Sequence, residues 1–158
     1  MAGSVTPSNT RVDAAGMRVA IVISRFNSTI TDGLAHGARS ALLESGVRSE
    51  DIKSIIVPGA FEIPLMLDLL ASIPDGYDAL IALGAVIQGE TKHFDYISEA
   101  AMHGISEVSL KHKIPIGCGV LTTFTEEQAI ARSQDDEHNK GREAALAAIE
   151  MVHLKRTV

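Results

Sequence analysis

Apolar stretches alternate with helical patterns along most of this chain. Met17 to Ser24 is apolar and β-rich, and Ile30 to Ser45 carries apolar or small side chains at helical spacing until Gly46 closes it. The run Ala79 to Ile87 is apolar almost throughout, which predicts a strand covered on both faces. The pattern continues with strands at Lys53–Val57 and Ile114–Leu121, and with helices at about Phe61–Ser72, His93–Lys113, Thr125–Arg132 and Lys140–Leu154.

This order, βαβαβαβαα, predicts an α/β fold built on a parallel sheet. Right-handed crossovers would place helices on both faces of four strands, giving a flavodoxin-like three-layer sandwich. In such sheets small ligands bind outside the carboxyl ends of the strands. We therefore expect four segments to converge at one edge: Ser24–Asn27, Pro58–Glu62, Val86–His93 and Leu121–Thr125.

Composition narrows the class of protein. The 158 residues suit one domain, which we place at 17–158, after a flexible or partner-bound tail at 1–16. A net charge of -6 argues against nucleic acid as a partner, and no apolar run is long enough to cross a bilayer. The N-terminus lacks the features of a signal peptide, and Cys118 is the single cysteine, so we expect a cytoplasmic protein.

Three residues at the predicted sheet edge suggest chemistry on a small ligand. Phe26 follows the first strand, where its ring could stack on a flat heterocycle or simply cover the core. Glu62 lies in the first turn of a helix, where it could accept hydrogen bonds from a ligand or merely favour the helix start. His93 lies at a strand-to-helix junction, which suits an imidazole that exchanges protons near neutral pH.

A second group of residues suggests a phosphate site. The backbone amides around Gly89, Glu90 and Thr91 lie at a predicted helix start, where anions bind. Arg132 ends the short helix TEEQAIAR, where it could supply a fixed charge or offset the helix dipole. Neither the histidines nor Cys118 show the spacing of metal ligands, so no metal site is expected.

Six motifs resemble the 6,7-dimethyl-8-ribityllumazine synthase family of riboflavin biosynthesis. The resemblance runs in order from about residue 17 to the C-terminus. The motifs are RFN (25–27), PGAFEIP (58–64), GAVIQGETKHFDY (84–96), GVLTT (119–123), EEQAIAR (126–132) and NKGREAALAAIEM (139–151).

The resemblance implies a role for each matching residue. His93 would transfer protons, and two sets of residues would bind the two substrates. The aminouracil would contact Phe26, Ala60, Phe61, Glu62, Ala85, Val86, Ile87 and Cys118, whereas the butanone phosphate would contact Glu90, Thr91, Arg132 and Lys140.

The implied reaction joins 5-amino-6-(D-ribitylamino)uracil to 3,4-dihydroxy-2-butanone 4-phosphate and needs neither a metal nor a cofactor. The resemblance also implies at least a homopentamer with sites shared between subunits. Cys118, Arg132 and Lys140 of one chain would then face Phe26 and His93 of its neighbour. Decamers and sixty-subunit shells remain open, since the segment QDDEH (134–138) differs from the family's usual loop but keeps its short length.

Three positions depart from the family pattern. Cys118 stands where an aromatic residue is common, Gln88 where arginine is usual, and Lys92 where a small residue or proline precedes the histidine. Two other functions also stay open. A non-catalytic flavin or lumazine carrier would not need His93, and a purely structural shell protein could lose Arg132.

Overall fold

The computed structural model describes residues 13–158, in which helices and strands alternate. Two 3-10 turns, Ser49–Asp51 and Ala60–Glu62, precede the second strand and the second helix. Within the described residues, no helix is both long and apolar enough to cross a membrane. The elements are β1 (Val19–Ser24), α1 (Ser28–Glu44), β2 (Ile52–Val57), α2 (Ile63–Ala71), β3 (Ala79–Ile87), α3 (His93–His112), β4 (Ile116–Thr123), α4 (Glu126–Ala131) and α5 (Lys140–Arg156).

The four strands form one parallel sheet in the order β2-β1-β3-β4. The chain first moves from β1 to β2 and then crosses back past β1 to β3. The strand order therefore reverses between β1 and β3, where such sheets open a crevice at their carboxyl edge. The predicted flavodoxin-like α/β fold is confirmed.

Alternate residues of the strands pack into two separate hydrophobic cores. One core joins Ile21, Ile81 and their same-face neighbours to α1 and α5. The other joins Val22, Ala82 and their neighbours to α2 and α3. Because both faces are covered, β1 is buried at all six positions, which explains the unbroken apolar runs in the sequence.

The last strand is shifted from its predicted position. The apolar run indicated Ile114–Leu121, but β4 spans Ile116–Thr123. The side chain of Ile114 is buried in the loop, where its backbone N–H donates to Ser109 O at 3.2 Å. At the other end, the ladder continues through polar residues, since Thr123 pairs with Ile87 of β3. The apolar run therefore indicated which residues are buried, whereas the backbone pairing with β3 determines where β4 begins and ends.

Part of the predicted N-terminal tail contacts the domain. Ala14 is buried, and its backbone N–H donates to Ser45 O at 2.8 Å. The ring Nε2 of His153, on α5, lies 2.6 Å from Asp13 O. The rest of the tail, residues 1–12, lies outside the described residues, and the boundary at residue 17 stays a prediction.

A cluster of charged side chains ties α2 to the end of α3. The carboxylate Oδ1 of Asp68 lies 2.7 Å from His112 Nε2 and 3.0 Å from Lys111 Nζ. The hydrogen bonds from His112 and then Lys111 lower the pKa of Asp68 below its ordinary value. Because this pKa is lower in the folded protein than in the unfolded chain, the cluster stabilises the fold above the usual aspartate range and loses this contribution as the pH falls.

We expect Asp68→Asn to lower the melting temperature at pH 7, and the difference from the parent protein to shrink as the pH falls below about 4. Circular dichroism melts at several pH values would measure this. Asp32→Asn, at an exposed position of α1, is the control and should change little at either pH. If Asp68→Asn lowers the melting temperature by the same amount at pH 7 and pH 3, the stabilisation by this cluster is not electrostatic in origin.

Candidate active site

A cavity of about 610 Å³ opens at the carboxyl ends of β1 and β3. Three of the four predicted segments meet in its wall: the loop after β1, the turn after β2 and the stretch from β3 into α3. The structure brings nine of the predicted site residues together here. They are Phe26, Ala60, Phe61, Glu62, Ala85, Val86, Ile87, Thr91 and His93.

Hydrogen bonds between loops hold this edge of the sheet together. The backbone N–H of Phe26 donates to Pro58 O at 3.2 Å, which joins the loops after β1 and β2. Asn27 adopts the left-handed conformation, with φ at 62°, and its Nδ2 donates to Ala85 O at 2.9 Å. Sequence reasoning did not single out Asn27, although asparagine tolerates this conformation better than most residues. Its amide fixes the end of β3 beside Phe26.

The cavity combines exposed aromatic rings with a buried floor. Phe26 is 71% exposed and Phe61 is 61% exposed, whereas Ala60 and Ala85 are buried. Exposed rings at the mouth of a cavity offer flat apolar surfaces on which a heterocycle can stack. The small floor residues leave room for a ligand close to the backbone of β3.

Two polar groups reach this apolar space. Glu62 is half-buried, and its carboxylate lies close to Gly59, where an added Cβ would come within 3.2 Å of Oε2. His93 is exposed at the first position of α3, and its backbone N–H donates to Thr91 Oγ1 at 3.4 Å. In one cavity, a carboxylate can accept hydrogen bonds from the N–H groups of a ring, and an imidazole can transfer protons.

The first turn of α3 lies beside the cavity, and its N-cap residue, Lys92, makes no side-chain capping bond. The N–H of His93 donates to Thr91 Oγ1, and those of Asp95 and Tyr96 donate to Lys92 O, which leaves the N–H of Phe94 as the donor of this turn available to an anion. Glu90 is exposed and does not line the cavity itself, although it lies between the lining residues Gly89 and Thr91. The fourth predicted segment approaches through Phe124, whose ring centroid lies 6.4 Å from that of Phe94.

Besides Glu90, three predicted site residues lie outside this cavity. Arg132 caps the end of α4, and its Nη1 donates back to Gln128 O at 2.9 Å. Lys140 and Cys118 line a second cavity of about 260 Å³ between β4 and α5. Within it, Lys140 Nζ lies 2.8 Å from Glu143 Oε2. In the single chain, these three residues do not face His93.

Cys118 lies on an edge strand, away from the carboxyl end of the sheet. It precedes Thr123, the last residue of β4, by five positions, so it lies about 16 Å from that end at the usual rise of a strand. Its Sγ is 3.7 Å from the Sδ of Met102. Desolvation raises the pKa of the Cys118 thiol above its ordinary value, which keeps it neutral at pH 7.

Residues 13–158 contain no group of three histidine, cysteine, aspartate or glutamate side chains that could hold a metal ion. The polar groups at the cavity are the carboxylate of Glu62, the imidazole of His93 and the backbone at the start of α3. Together with the apolar walls, they define a site for a small organic ligand, carried by a flavodoxin-like α/β domain.

Comparison with known proteins assigns this domain to a family. A sequence model of the 6,7-dimethyl-8-ribityllumazine synthases matches residues 16–156. The chain is 51% identical, over 143 residues, to a 6,7-dimethyl-8-ribityllumazine synthase of Desulfatibacillum aliphaticivorans, and the match covers 90% of this chain and 92% of the relative. The chain therefore belongs to the 6,7-dimethyl-8-ribityllumazine synthase family. It is an enzyme, a transferase of riboflavin biosynthesis.

Proposed function

We propose that this protein condenses 5-amino-6-(D-ribitylamino)uracil with 3,4-dihydroxy-2-butanone 4-phosphate to give 6,7-dimethyl-8-ribityllumazine. The observation that carries the proposal is the meeting of Phe26, Glu62 and His93 in one cavity, although they come from three separate segments. These are the residues that the family pattern assigns to the ring and to proton transfer.

The chemistry of the cavity suits the aminouracil. Its ring would stack on Phe26, with Val86 and Ile87 along its edge. The carboxylate of Glu62 would accept hydrogen bonds from N–H groups of the ring or of its amine, and the backbone of Ala60 and Phe61 would pair with the polar edge of the ring. This arrangement leaves the reactive amine on the side of His93.

The reaction proceeds by condensation and elimination. The primary amine attacks the ketone of the four-carbon phosphate, and loss of water gives an imine. Phosphate then leaves, the ribitylamino nitrogen closes the ring, and a second water is lost. His93 would take up and return protons in these steps, and the protein would hold the two reactants in a productive orientation.

The phosphate requires positive charge that the cavity of one chain lacks. Its wall offers Thr91 and the start of α3 with the N–H of Phe94, and the backbone of Glu90 lies next to it, but neither Arg132 nor Lys140 is present. A dianionic leaving group is stabilised best by fixed cations. We infer that Arg132 and Lys140 of a second copy approach the cavity, together with Cys118 as the second wall of the ring site.

Two exposed apolar surfaces support such an arrangement. The α2 stripe consists of the exposed side chains Phe61, Leu65, Leu69 and Ile73, spaced four residues apart: Leu65 and Leu69 lie on α2, Phe61 in the 3-10 turn before it and Ile73 just after its end. The stripe begins at Phe61, which also lines the cavity, so a copy that covers the stripe would border the site. The second surface surrounds the edge strand β4 and comprises Met102, Cys118, Phe124, Ile130 and Met151.

These two surfaces differ, so a contact between them is head-to-tail. A head-to-tail contact closes into a ring when its rotation permits. We propose a homopentamer as the basic unit, and decamers or a sixty-subunit shell would be built from it. The single cysteine fits a reducing compartment, and we place the reaction in the cytoplasm.

A two-substrate assay tests the proposed activity. The purified protein should form the lumazine, measured by its absorbance, and release one phosphate per product at a rate well above a blank without protein. Light scattering on the same sample would give the mass of the assembly. A rate equal to the blank, with flavin or lumazine bound to the protein, would replace the proposal with a carrier function.

A further inference from the structure

The segment between α4 and α5 begins at Arg132 and ends at Lys140, the two positively charged side chains proposed to bind the phosphate. Arg132 is the C-cap residue of α4, and Lys140 is the first residue of α5. The backbone N–H of Lys140 donates to Arg132 O at 2.9 Å, which closes the segment into a loop with a narrow neck. The spacing between the two cations is therefore set by this loop.

Asn139 fills the loop and is almost completely buried, at 1% exposure. Its Nδ2 donates to two carbonyl oxygens, Gly33 O at 3.0 Å and Gln134 O at 2.9 Å. Its Oδ1 accepts from the backbone N–H of Arg142 at 3.0 Å, which caps α5. A reversed amide would direct its oxygen at two carbonyls, so the network fixes the orientation of the side chain.

Helix α1 is shaped to receive this side chain. A Cβ at Gly37 would collide with Asn139 Oδ1, and a Cβ at Gly33 would collide with Ser133 O. Glycine inside a helix lowers helix stability relative to alanine, so two glycines one turn apart indicate a packing requirement. Together they let the loop, and with it both cations, rest directly on α1.

We propose that Asn139 is a positioning residue that orients Arg132 and Lys140 toward the phosphate of the four-carbon substrate. This inference rests on the proposed function, in which those cations bind the phosphate. One Nδ2 hydrogen bond anchors the loop to α1 through Gly33 O, the other holds the loop together through Gln134 O, and the neck bond transmits this anchorage to Arg132. A helix cap alone would require only the Oδ1 atom.

Two substitutions separate positioning from capping. Asn139→Asp keeps an oxygen for the cap but removes both donors and places a carboxylate oxygen against two carbonyls. Asn139→Ser also keeps a capping oxygen and replaces the two Nδ2 donors by a single, shorter hydroxyl, but it adds no charge that could itself repel the phosphate. We expect each to raise the KM for the four-carbon phosphate by about tenfold or more, because small displacements of binding groups are costly.

Three further measurements should follow the same pattern. The KM for the aminouracil should stay within about twofold of the parent value, since its contacts lie on the other side of the site. The inhibition constant of inorganic phosphate, competing with the four-carbon substrate, should rise with the KM. Ile149→Val, a buried change in α5, is the control: it should lower the melting temperature without changing either KM.

Arg132→Ala, measured in parallel, distinguishes a failure of the positioning role of Asn139 from a failure of the proposed phosphate site. If Arg132→Ala raises the KM for the phosphate substrate but both Asn139 variants leave it within about twofold, the positioning role is wrong and the proposed function stands. The positioning role is also wrong if the Asn139 variants raise both KM values equally. If Arg132→Ala itself has no effect, the proposed phosphate site fails.

Discussion

Replacing Arg132 with alanine should raise the KM for the four-carbon phosphate by about a hundredfold, while the KM for the aminouracil changes less than about twofold. The reason is the loss of charge-assisted hydrogen bonds, which contribute about 1.5–3 kcal/mol each when one partner is ionised. The helix α4 already holds the guanidinium through its bond to Gln128 O, so the charge is in place before the substrate arrives. Steady-state kinetics with each substrate varied in turn measures both constants.

Two variants sharpen that experiment. Arg132→Lys keeps the positive charge but loses the planar fork, so its KM should fall between those of the parent and the alanine variant. Arg39→Ala removes an arginine from the far half of α1 and should leave both constants unchanged. An Arg132→Ala enzyme with an unaltered KM for the phosphate substrate would remove Arg132 from the site.

Replacing His93 with glutamine should lower kcat by about a hundredfold, the lower end of what a positioned acid or base contributes. Glutamine keeps a polar side chain at the first position of α3 but cannot exchange a proton. Both KM values should change little, because the replacement keeps a polar side chain at the same position. Steady-state kinetics with each substrate varied in turn would measure kcat and both KM values.

His103→Gln, at an exposed position on α3, is the matched control and should behave like the parent enzyme. If His93→Gln keeps the parent kcat and changes only a KM, the imidazole binds a substrate and does not transfer protons. Orientation of the two reactants would then account for the whole of the rate enhancement.

Sequence patterns predicted the features of the fold that depend on residues close together in the chain. The strand Ala79–Ile87 has the bounds that its apolar run indicated, because helices cover both faces of the sheet at β3. Thr125, where the sequence pattern placed the start of a helix, caps α4, and the capping box is completed by Gln128, whose side chain accepts from the backbone N–H of Thr125 at 3.3 Å. Short-range capping and periodicity are visible in a sequence because the partners lie within a few residues.

Contacts between distant residues were not visible in those patterns. Asn27 bonds to Ala85 across the sheet edge, and Asn139 bonds to Gly33 across 106 residues of sequence. Strand-end positions predicted which residues gather at the carboxyl edge, and Phe26, Glu62 and His93 do meet there. The same logic also suggested Arg132 for this edge, but Arg132 lies after α4, nine residues beyond the end of β4, and does not line the cavity.

The central claim is that each site combines the cavity of one chain with Arg132 of another. It is tested most directly by co-expressing Arg132→Ala chains with His93→Gln chains that carry a different tag, and purifying assemblies that contain both. In a ring with random mixing, about a quarter of the sites would combine an intact cavity with an intact arginine, so activity should recover to about that fraction of the parent value. If mixed assemblies of the correct mass show only the average activity of the two variants, each site is complete within one chain and the account is wrong.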